Sequence, residues 1–206
     1  MSYTAHIVYR TDDGFDLRFE PVEGTTRVVA DGQGFTVRYL TPDPDIQSPD
    51  TDRDDALFLV HYHRQFHITR DEIVTKDDVR AWYGGALIDQ EETYWIFPVT
   101  SLIHGGVALQ LGTQGFVEDA QGWDTSHVGA VLASKTEFAT RDDATRVAHG
   151  LVSTWNECLS GSVYGLVCET FDAEKTPLDD ESTWGYIGYC HALAELDWEG
   201  ACTAYP

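Results

Sequence analysis

The segment TRDDATRVAHGLVSTWNECLSG, residues 140–161, decides the fold class because it has the pattern of an amphipathic helix set between strands. Thr140 is a good N-cap residue, and the following Asp142 and Asp143 favour the first turn of a helix through its dipole. Gly161 predicts where the helix ends. The apolar side chains recur at helical spacing. They are Ala144, Val147, Ala148, Leu151, Val152, Trp155 and Leu159.

Strand patterns flank this helix on both sides. SHVGAVLAS (126–134) precedes it and SVYGLVCET (162–170) follows it. Further upstream, TYWIFPVT (93–100) and SLIHGGVALQL (101–111) also predict strands, the second interrupted by two glycines. Residues 3–40 alternate apolar and polar side chains in several short runs, which predicts an antiparallel meander with tight turns.

Two polar stretches predict breaks in this pattern. Residues 41–55, TPDPDIQSPDTDRDD, hold three prolines and six aspartates. They offer little apolar surface to bury, so we expect a mobile acidic loop. TPLDDES (176–182) predicts a turn. Between the two, ALFLVHYHRQFHI (56–68) predicts a strand, and a short helix is expected between Thr75 and Gly84-Gly85.

These patterns together predict an α+β fold, mostly antiparallel sheet, with one principal helix near 140–160. A chain of 206 residues, 42% of them hydrophobic, is long enough for a single compact domain over 1–206. A subdivision into a β-rich part, 1–92, and an α+β part, 93–206, is also compatible with the pattern.

Net charge is the strongest compositional signal. The chain carries 35 Asp and Glu against 13 Lys and Arg, a formal net charge of −22. Self-repulsion of this size opposes compaction, so the excess calls for either a saline environment or a positively charged partner. An anionic surface repels DNA, RNA and anionic lipid, and we therefore expect no direct binding to nucleic acid or to a membrane.

The sequence also predicts a compartment. The first ten residues, MSYTAHIVYR, hold no apolar run of signal-peptide length, and no stretch has the roughly 20 apolar residues that cross a bilayer. We therefore expect a cytoplasmic protein. In that compartment, and with no CxxC pair present, the four cysteines are expected to be free buried thiols. They are Cys158, Cys168, Cys190 and Cys202.

Four segments in the second half carry a resemblance to a known family. They are LIHGGVALQL (102–111), WDTSHVGAVLASK (123–135), LSGSVYGLV (159–167) and DDESTWGYIG (179–188). Over roughly residues 93–190 the chain resembles a family of small uncharacterised proteins of tailed bacteriophages and mobile elements. The resemblance implies a phage-type accessory protein in the cytoplasm of a host cell. It implies no activity and supplies no catalytic residue.

Histidines are the candidates for enzymatic chemistry. His61, His63 and His67 alternate along one predicted strand and would share a face, where imidazoles can bind a metal such as zinc. At about 3.3 Å per residue, His61 and His67 would stand ~20 Å apart, too far to share one ion. His104 could act as a general base, but no GxSxG nucleophile motif accompanies it. We therefore predict no catalytic residue, no metal and no cofactor. A small hydrolase or metal-dependent enzyme using His61, His63 or His104 is the alternative.

Two tryptophans stand beside turn residues. Asp124 is expected to accept hydrogen bonds from the amides of Ser126 and His127, with Trp123 pinning the turn against the core. Trp184, beside glycines, is expected to pack in a similar way. The alternative for both is an aromatic binding surface, since tryptophan anchors interfaces.

The acidic residues lead to the functional hypothesis. Carboxylates on a rigid scaffold could imitate phosphates and occupy the basic nucleic-acid-binding surface of a host protein, for example a defence protein, and so inhibit it. The alternative is an acidic binding or structural protein whose charge only keeps it soluble, as in a saline host or a phage particle. The predicted contact residues are Asp43, Asp45, Asp50, Asp52, Asp54 and Asp55 in the loop, and Asp179, Asp180 and Glu181 in the late turn.

Overall fold

The computed structural model describes residues 9–30, 32–45, 49, 55–83 and 92–197 of the chain. Their strands are β1 (Tyr9–Arg10), β2 (Asp16–Leu17), β3 (Arg27–Ala30), β4 (Gly34–Pro42), β5 (Leu57–His63), β6 (Phe66–Ile68), β7 (Tyr94–Ile103), β8 (Val107–Leu111), β9 (Thr125–Ser134), β10 (Val163–Asp172) and β11 (Pro177–Ile187). The helices are α1 (Lys76–Tyr83), α2 (Arg141–Leu159) and α3 (Tyr189–Asp197). The paired strands within these ranges are antiparallel, which confirms the prediction of an α+β fold made mostly of antiparallel sheet.

The chain forms two compact units. Unit 1 comprises Met1–Gln47 and Gly161–Pro206, and unit 2 comprises Ser48–Ser160. Strand pairing explains the boundaries, because β4 pairs with β10 in unit 1 and β5 pairs with β9 in unit 2. The division differs from a single compact domain over 1–206 and from a boundary at 92/93, which lies inside unit 2. Local periodicity does not reveal which distant strands will pair.

Unit 1 is built on a sheet with strand order β11-β10-β4-β3, accompanied by the separate pair β1-β2. One core cluster consists of the buried Phe15, Leu17, Val37, Tyr39, Val167 and Phe171. A second, supplied partly by α3, consists of Leu40, Leu166, Ala192 and Leu196. Neighbouring residues of β10 thus enter different clusters, which accounts for the unbroken apolar run in this strand.

Unit 2 is built on a sheet with strand order β6-β5-β9-β7-β8. One core cluster joins this sheet to α2 and contains Leu59, Phe97, Val99, Leu109, Val131, Ala133, Ala144, Ala148, Val152 and Trp155. The other cluster involves α1 and contains Phe58, Val60, Tyr62, Val74, Val79, Ile96, Ala130 and Leu132. Because both faces of the sheet are buried, β5 and β9 are apolar at successive positions rather than alternate ones.

The long helix α2 begins and ends as the sequence predicts. The Thr140 hydroxyl oxygen accepts a hydrogen bond from the Asp143 amide (3.2 Å), and Gly161 follows the helix with a φ of 80°. Its apolar face lies in the core of unit 2. The prediction of one principal helix is not confirmed, because α1 and α3 are also helices that bury side chains in the cores.

Two segments predicted as single strands fold back as hairpins. Residues 56–68 form β5 and β6, with Tyr62 opposite His67. Their two-residue turn, Arg64-Gln65, contains neither glycine nor proline, so the sequence gives no turn signal there. Residues 101–111 reverse at Gly105-Gly106, where Gly105 has a φ of 70°, and β8 pairs with β7.

Candidate functional site

The acids Asp179, Asp180 and Glu181 lie on strand β11, not in a turn as predicted. The chain reverses earlier. The Asp172 carboxylate accepts hydrogen bonds from the amides of Glu174 (3.0 Å) and Thr176 (2.7 Å). This turn is complete before residue 177, so the acidic run that follows extends along the edge of the unit 1 sheet. Aspartates are depleted in strands, which is why composition alone predicted a turn here.

The three carboxylates of β11 are distributed over both faces of the strand. Asp180 is the cross-strand partner of Glu169 on β10, and it forms an ion pair with Arg18. Asp179 and Glu181 point to the opposite face by the alternation of a strand. Within the described residues, Asp180 is the one of the three that forms an ion pair. Side chains from Pro177 to Gly185 are exposed, so Asp179 and Glu181 face solvent.

The buried carboxylate of Glu169 is connected to Asp180 through Arg18. Glu169 is 4% exposed and accepts hydrogen bonds from the Tyr39 hydroxyl (2.5 Å) and the Arg18 amide (2.9 Å). Burial, together with the bond to Glu169, raises the pKa of Tyr39, which therefore stays protonated as the donor. Arg18 links this buried group to Asp180, so the ion pair has a fixed position on the face of β11. No local pattern predicts this arrangement, because Arg18, Tyr39, Glu169 and Asp180 are far apart in the chain.

Asp43 holds the other end of β11. Its carboxylate accepts hydrogen bonds from the amides of Gly185 (3.1 Å) and Asp45 (2.9 Å), and its own amide donates to the Val163 carbonyl (2.9 Å). Asp43 thus joins β4, β10 and β11, which is a structural role that the prediction of a mobile loop over 41–55 does not include. Asp45 is exposed.

Asp55 belongs to unit 2 and has a local partner. It forms an ion pair with Arg70, whose side chain is 5% exposed against 73% for Asp55. The Arg70 guanidinium also lies over the Phe58 ring at 4.8 Å. Asp55 therefore balances a buried cation. The remaining predicted contact residues, Asp50, Asp52 and Asp54, lie outside the described residues.

The acidic excess of unit 1 is not neutralised within the unit. Its sequence has 17 acidic and 5 basic side chains, whereas unit 2 has 18 and 8, so neither unit alone accounts for the charge. Each basic side chain of unit 1 is engaged. The contacts are Arg10–Asp16, Arg18–Asp180, Arg27–Asp197, Arg38 with the Leu196 carbonyl, and Lys175 with the Asp13 carbonyl. Among the described residues, no Lys or Arg side chain of the unit forms an ion pair with Asp179 or Glu181.

His61 and His104, two of the candidate histidines, lie in different surroundings. His61 is buried, with Nδ1 2.8 Å from the Phe66 carbonyl and Nε2 2.9 Å from Ser101 Oγ. Burial lowers the pKa of His61 to about 4, so the ring is neutral. His104 Nδ1 lies 2.9 Å from an Asp124 carboxylate oxygen on the surface. Among the described residues, no group of three or more His, Cys, Asp and Glu side chains could hold a metal ion.

The turn around Trp123 is organised by Asp119, not by Asp124 as predicted. The Asp119 carboxylate accepts hydrogen bonds from the amides of Trp123 (3.0 Å), Asp124 (2.9 Å) and Thr125 (2.8 Å). The hydroxyl of Thr125 also donates to it, and chiefly this bond lowers the pKa of Asp119. Trp123 is 84% exposed, so the prediction that it packs on the core is wrong. A shallow cavity of about 580 Å³ borders this turn.

Trp184 packs beside a glycine, as expected, but that glycine is on the neighbouring strand. Its ring lies across Gly165 of β10, where an added Cβ would stand 2.3 Å from Trp184 Cε3. The ring also meets Phe19 edge-on at 5.3 Å. Trp184 is nevertheless 36% exposed and forms part of the surface of β11.

The cysteines agree with the prediction in part. Cys158 and Cys168 are free and buried, and burial raises the pKa of Cys158. Cys190 is free but exposed at the start of α3, so the prediction of burial is wrong for it. Cys202 lies outside the described residues.

Comparison of the chain with protein-family models, with curated proteins and with solved structures gives no match. No helix among the described residues is both long enough and apolar enough to cross a membrane. The acidic edge strand β11 is the most distinctive surface of the described residues.

Proposed function

We propose that this is a phage-type accessory protein that binds a basic, nucleic-acid-binding surface of a host protein and thereby inhibits it. The observation that carries the proposal is the exposed run Asp179-Asp180-Glu181 on an edge strand, in a unit whose own basic side chains are already engaged. Asp179 and Glu181 offer negative charge to a partner without first giving up an ion pair of the described residues, whereas Asp180 is paired with Arg18.

The spacing of these charges supports imitation of a phosphate backbone. A strand advances about 3.3 Å per residue, so Asp179 and Glu181, which share a face, stand about 6.6 Å apart along it, close to the axial rise of two phosphates of one DNA strand at about 3.4 Å each. On the other face Arg18, whose amide donates to Glu169, pairs with Asp180. Charges on a paired strand lose less conformational entropy on binding than charges on an unpaired segment, which favours β11 as the contact.

The competing function is an acidic protein whose charge only keeps it soluble. Its support is that unit 2 is strongly acidic as well. The two functions differ in whether the position of the charge matters or only its total amount.

A pair of double variants with equal net charge separates these functions. The first double variant reverses the two acids of β11 that form no ion pair among the described residues, Asp179→Lys with Glu181→Lys. The second is the control and reverses two exposed acids elsewhere, Glu23→Lys with Glu137→Lys. Tagged protein is used to capture partners from bacterial lysate at low and then high salt, and the association rate with the purified basic partner is measured. We expect the β11 variant to associate about tenfold more slowly and the control within about twofold of wild type.

Equal effects of the two double variants would contradict the proposal, because the total charge alone would then govern binding. Capture of no basic protein at low salt would also contradict it. Circular dichroism of both variants establishes that the fold is retained.

A further inference from the structure

The geometry of β11 points to the way in which the partner is held: we propose that β11 takes up an extended basic segment of the partner as an additional strand of the unit 1 sheet. This inference rests on the function proposed above and specifies its mode of contact. β11 is 11 residues long and stands at the edge of the order β11-β10-β4-β3. Its side chains are exposed from Pro177 to Gly185.

The backbone of β11 offers hydrogen-bonding groups along this edge. The Thr170 hydroxyl reaches the Asp179 carbonyl on the β10 side (3.4 Å), whereas the Asp180 amide donates to the Asp179 carboxylate (3.0 Å). Residues of an antiparallel pair alternately face the neighbouring strand and face away from it. Asp180 and Ser182 therefore direct their amides and carbonyls outward, and an added strand would replace the Asp179 carboxylate as the acceptor of the Asp180 amide. An added strand binds outward groups of this kind.

The side chains of β11 select a basic occupant over a second copy of the chain. Two copies of β11 would bring carboxylates opposite carboxylates, and like charges across strands are destabilising. Lys or Arg at alternate positions of an added strand would instead meet Asp179 and Glu181 on one face or Asp180 on the other. Leu178, 66% exposed, and Trp184, 36% exposed, flank Asp180 and can cover the aliphatic stems of such residues.

The devices that protect edge strands leave the central part of β11 open to a basic strand. Natural edges are blunted by charged side chains, lysine above all, by prolines and by bulges. The charges of β11 are acidic, its proline Pro177 is its first residue, and its two register irregularities, opposite Thr170/Phe171 and opposite Tyr164/Leu166, lie towards its two ends. The central part, from Asp179 to Ser182, pairs with β10 in continuous register.

The test uses a variant of the edge and a chemically blocked peptide. Ser182→Pro removes one outward amide, and proline is tolerated on an edge strand where its N–H would face solvent. Ser182→Ala is the matched control, because both variants lose the hydroxyl oxygen that accepts from Trp184 Nε1 (3.1 Å) but alanine keeps the amide. The probe is a labelled peptide of about ten alternating Lys and Thr residues, compared with the same peptide methylated at every backbone nitrogen.

Binding is measured by fluorescence anisotropy at low salt. We expect the unmethylated peptide to bind wild type and Ser182→Ala alike. Its affinity should fall about tenfold or more with Ser182→Pro, and by a similar factor when the peptide is methylated, because either change removes backbone hydrogen bonds while the charge is constant. Should Ser182→Pro lose its β-sheet circular dichroism, the comparison of the two peptides on wild type decides alone.

Three results would overturn the inference. Equal binding of both peptides to wild type and to Ser182→Pro shows contact by charge alone, which refutes strand addition and leaves the proposed function standing. Binding of neither peptide refutes the acidic contact surface as well. Self-association of wild type that Ser182→Pro abolishes, without peptide binding, assigns the edge to a second copy of the chain.

Discussion

Acidification should destabilise this protein through His61, even though lower pH relieves its carboxylate repulsion. The His61 side chain is fully buried, and its Nδ1 faces the Phe66 carbonyl, which can only accept. Nδ1 therefore carries the proton, and Nε2 accepts from Ser101 Oγ at 2.9 Å, a shorter contact than the 3.4 Å from that hydroxyl to the Ser126 carbonyl. The ring is held neutral in a fully buried site.

The magnitude follows from the pKa values of the two states. Burial, opposed by the hydrogen bond to the Phe66 carbonyl and assisted by nearby His63 and His67, lowers the pKa of His61 from 6.5 to about 4 in the folded protein. The unfolded chain binds a proton below pH 6.5 and the folded chain does not until about pH 4, so stability is lost as pH falls through this window. At 1.36 kcal/mol per pKa unit, the whole shift corresponds to about 3 kcal/mol, of which about 2 kcal/mol is lost between pH 7 and 5.

The assay is urea unfolding at fixed ionic strength between pH 7 and 5, above the pI of about 4.4. His61→Gln keeps a donor and an acceptor at the site but cannot titrate, and His149→Gln, at an exposed position of α2, is the matched control. Between pH 7 and 5, the free energy of unfolding of wild type and of His149→Gln should each fall by about 2 kcal/mol more than that of His61→Gln. This corresponds to a fall of about 1 M in the urea midpoint. Identical pH slopes for wild type and His61→Gln would refute the placement of a neutral His61 in the core.

Two further predictions concern local packing. Gly165→Ala should displace Trp184 and lower the free energy of unfolding by about 1–3 kcal/mol. Gly150→Ala, on α2, has open space around the added Cβ and should raise the free energy of unfolding by about 0.5–1 kcal/mol. Urea unfolding of the two variants measures both changes. Asp119→Ala should speed hydrogen exchange of the three amides bound to that carboxylate by up to about tenfold. The control Glu118→Ala should leave these amides protected. Equal protection of the amides in the two variants would show that another group orders the turn.

Features that depend on contacts between neighbouring residues can be predicted from the sequence. The cap at Thr140, the apolar face of α2 and the end at Gly161 depend on contacts within a few positions, and all three are present. The strands β9 and β10 were likewise predicted within a residue or two, because their apolar runs are continuous.

Features that depend on distant partners could not be predicted. An acidic run becomes the strand β11 because β10 supplies the ladder, and the pattern of Asp179-Asp180-Glu181 by itself favours a turn. The Asp43 carboxylate accepts a hydrogen bond from the Gly185 amide, which is 142 positions away in the chain. At Trp123 the sequence predicts the adjacent Asp124 as the acceptor of the turn, whereas the folded turn uses Asp119, four residues before Trp123.

The insertion of unit 2 between the two parts of unit 1 has a consequence for synthesis on the ribosome. β4 ends at Pro42 and its partner β10 begins at Val163, so about 120 residues must be translated before the two can pair. At about 5–20 residues per second, β4 is without its partner for roughly 6–24 s, while the whole of unit 2 emerges and can fold. During that interval the β3–β4 hairpin has an unpaired edge, and like-charged nascent chains on one polysome repel each other. The acidity of the chain would then protect it from aggregation before any partner is met.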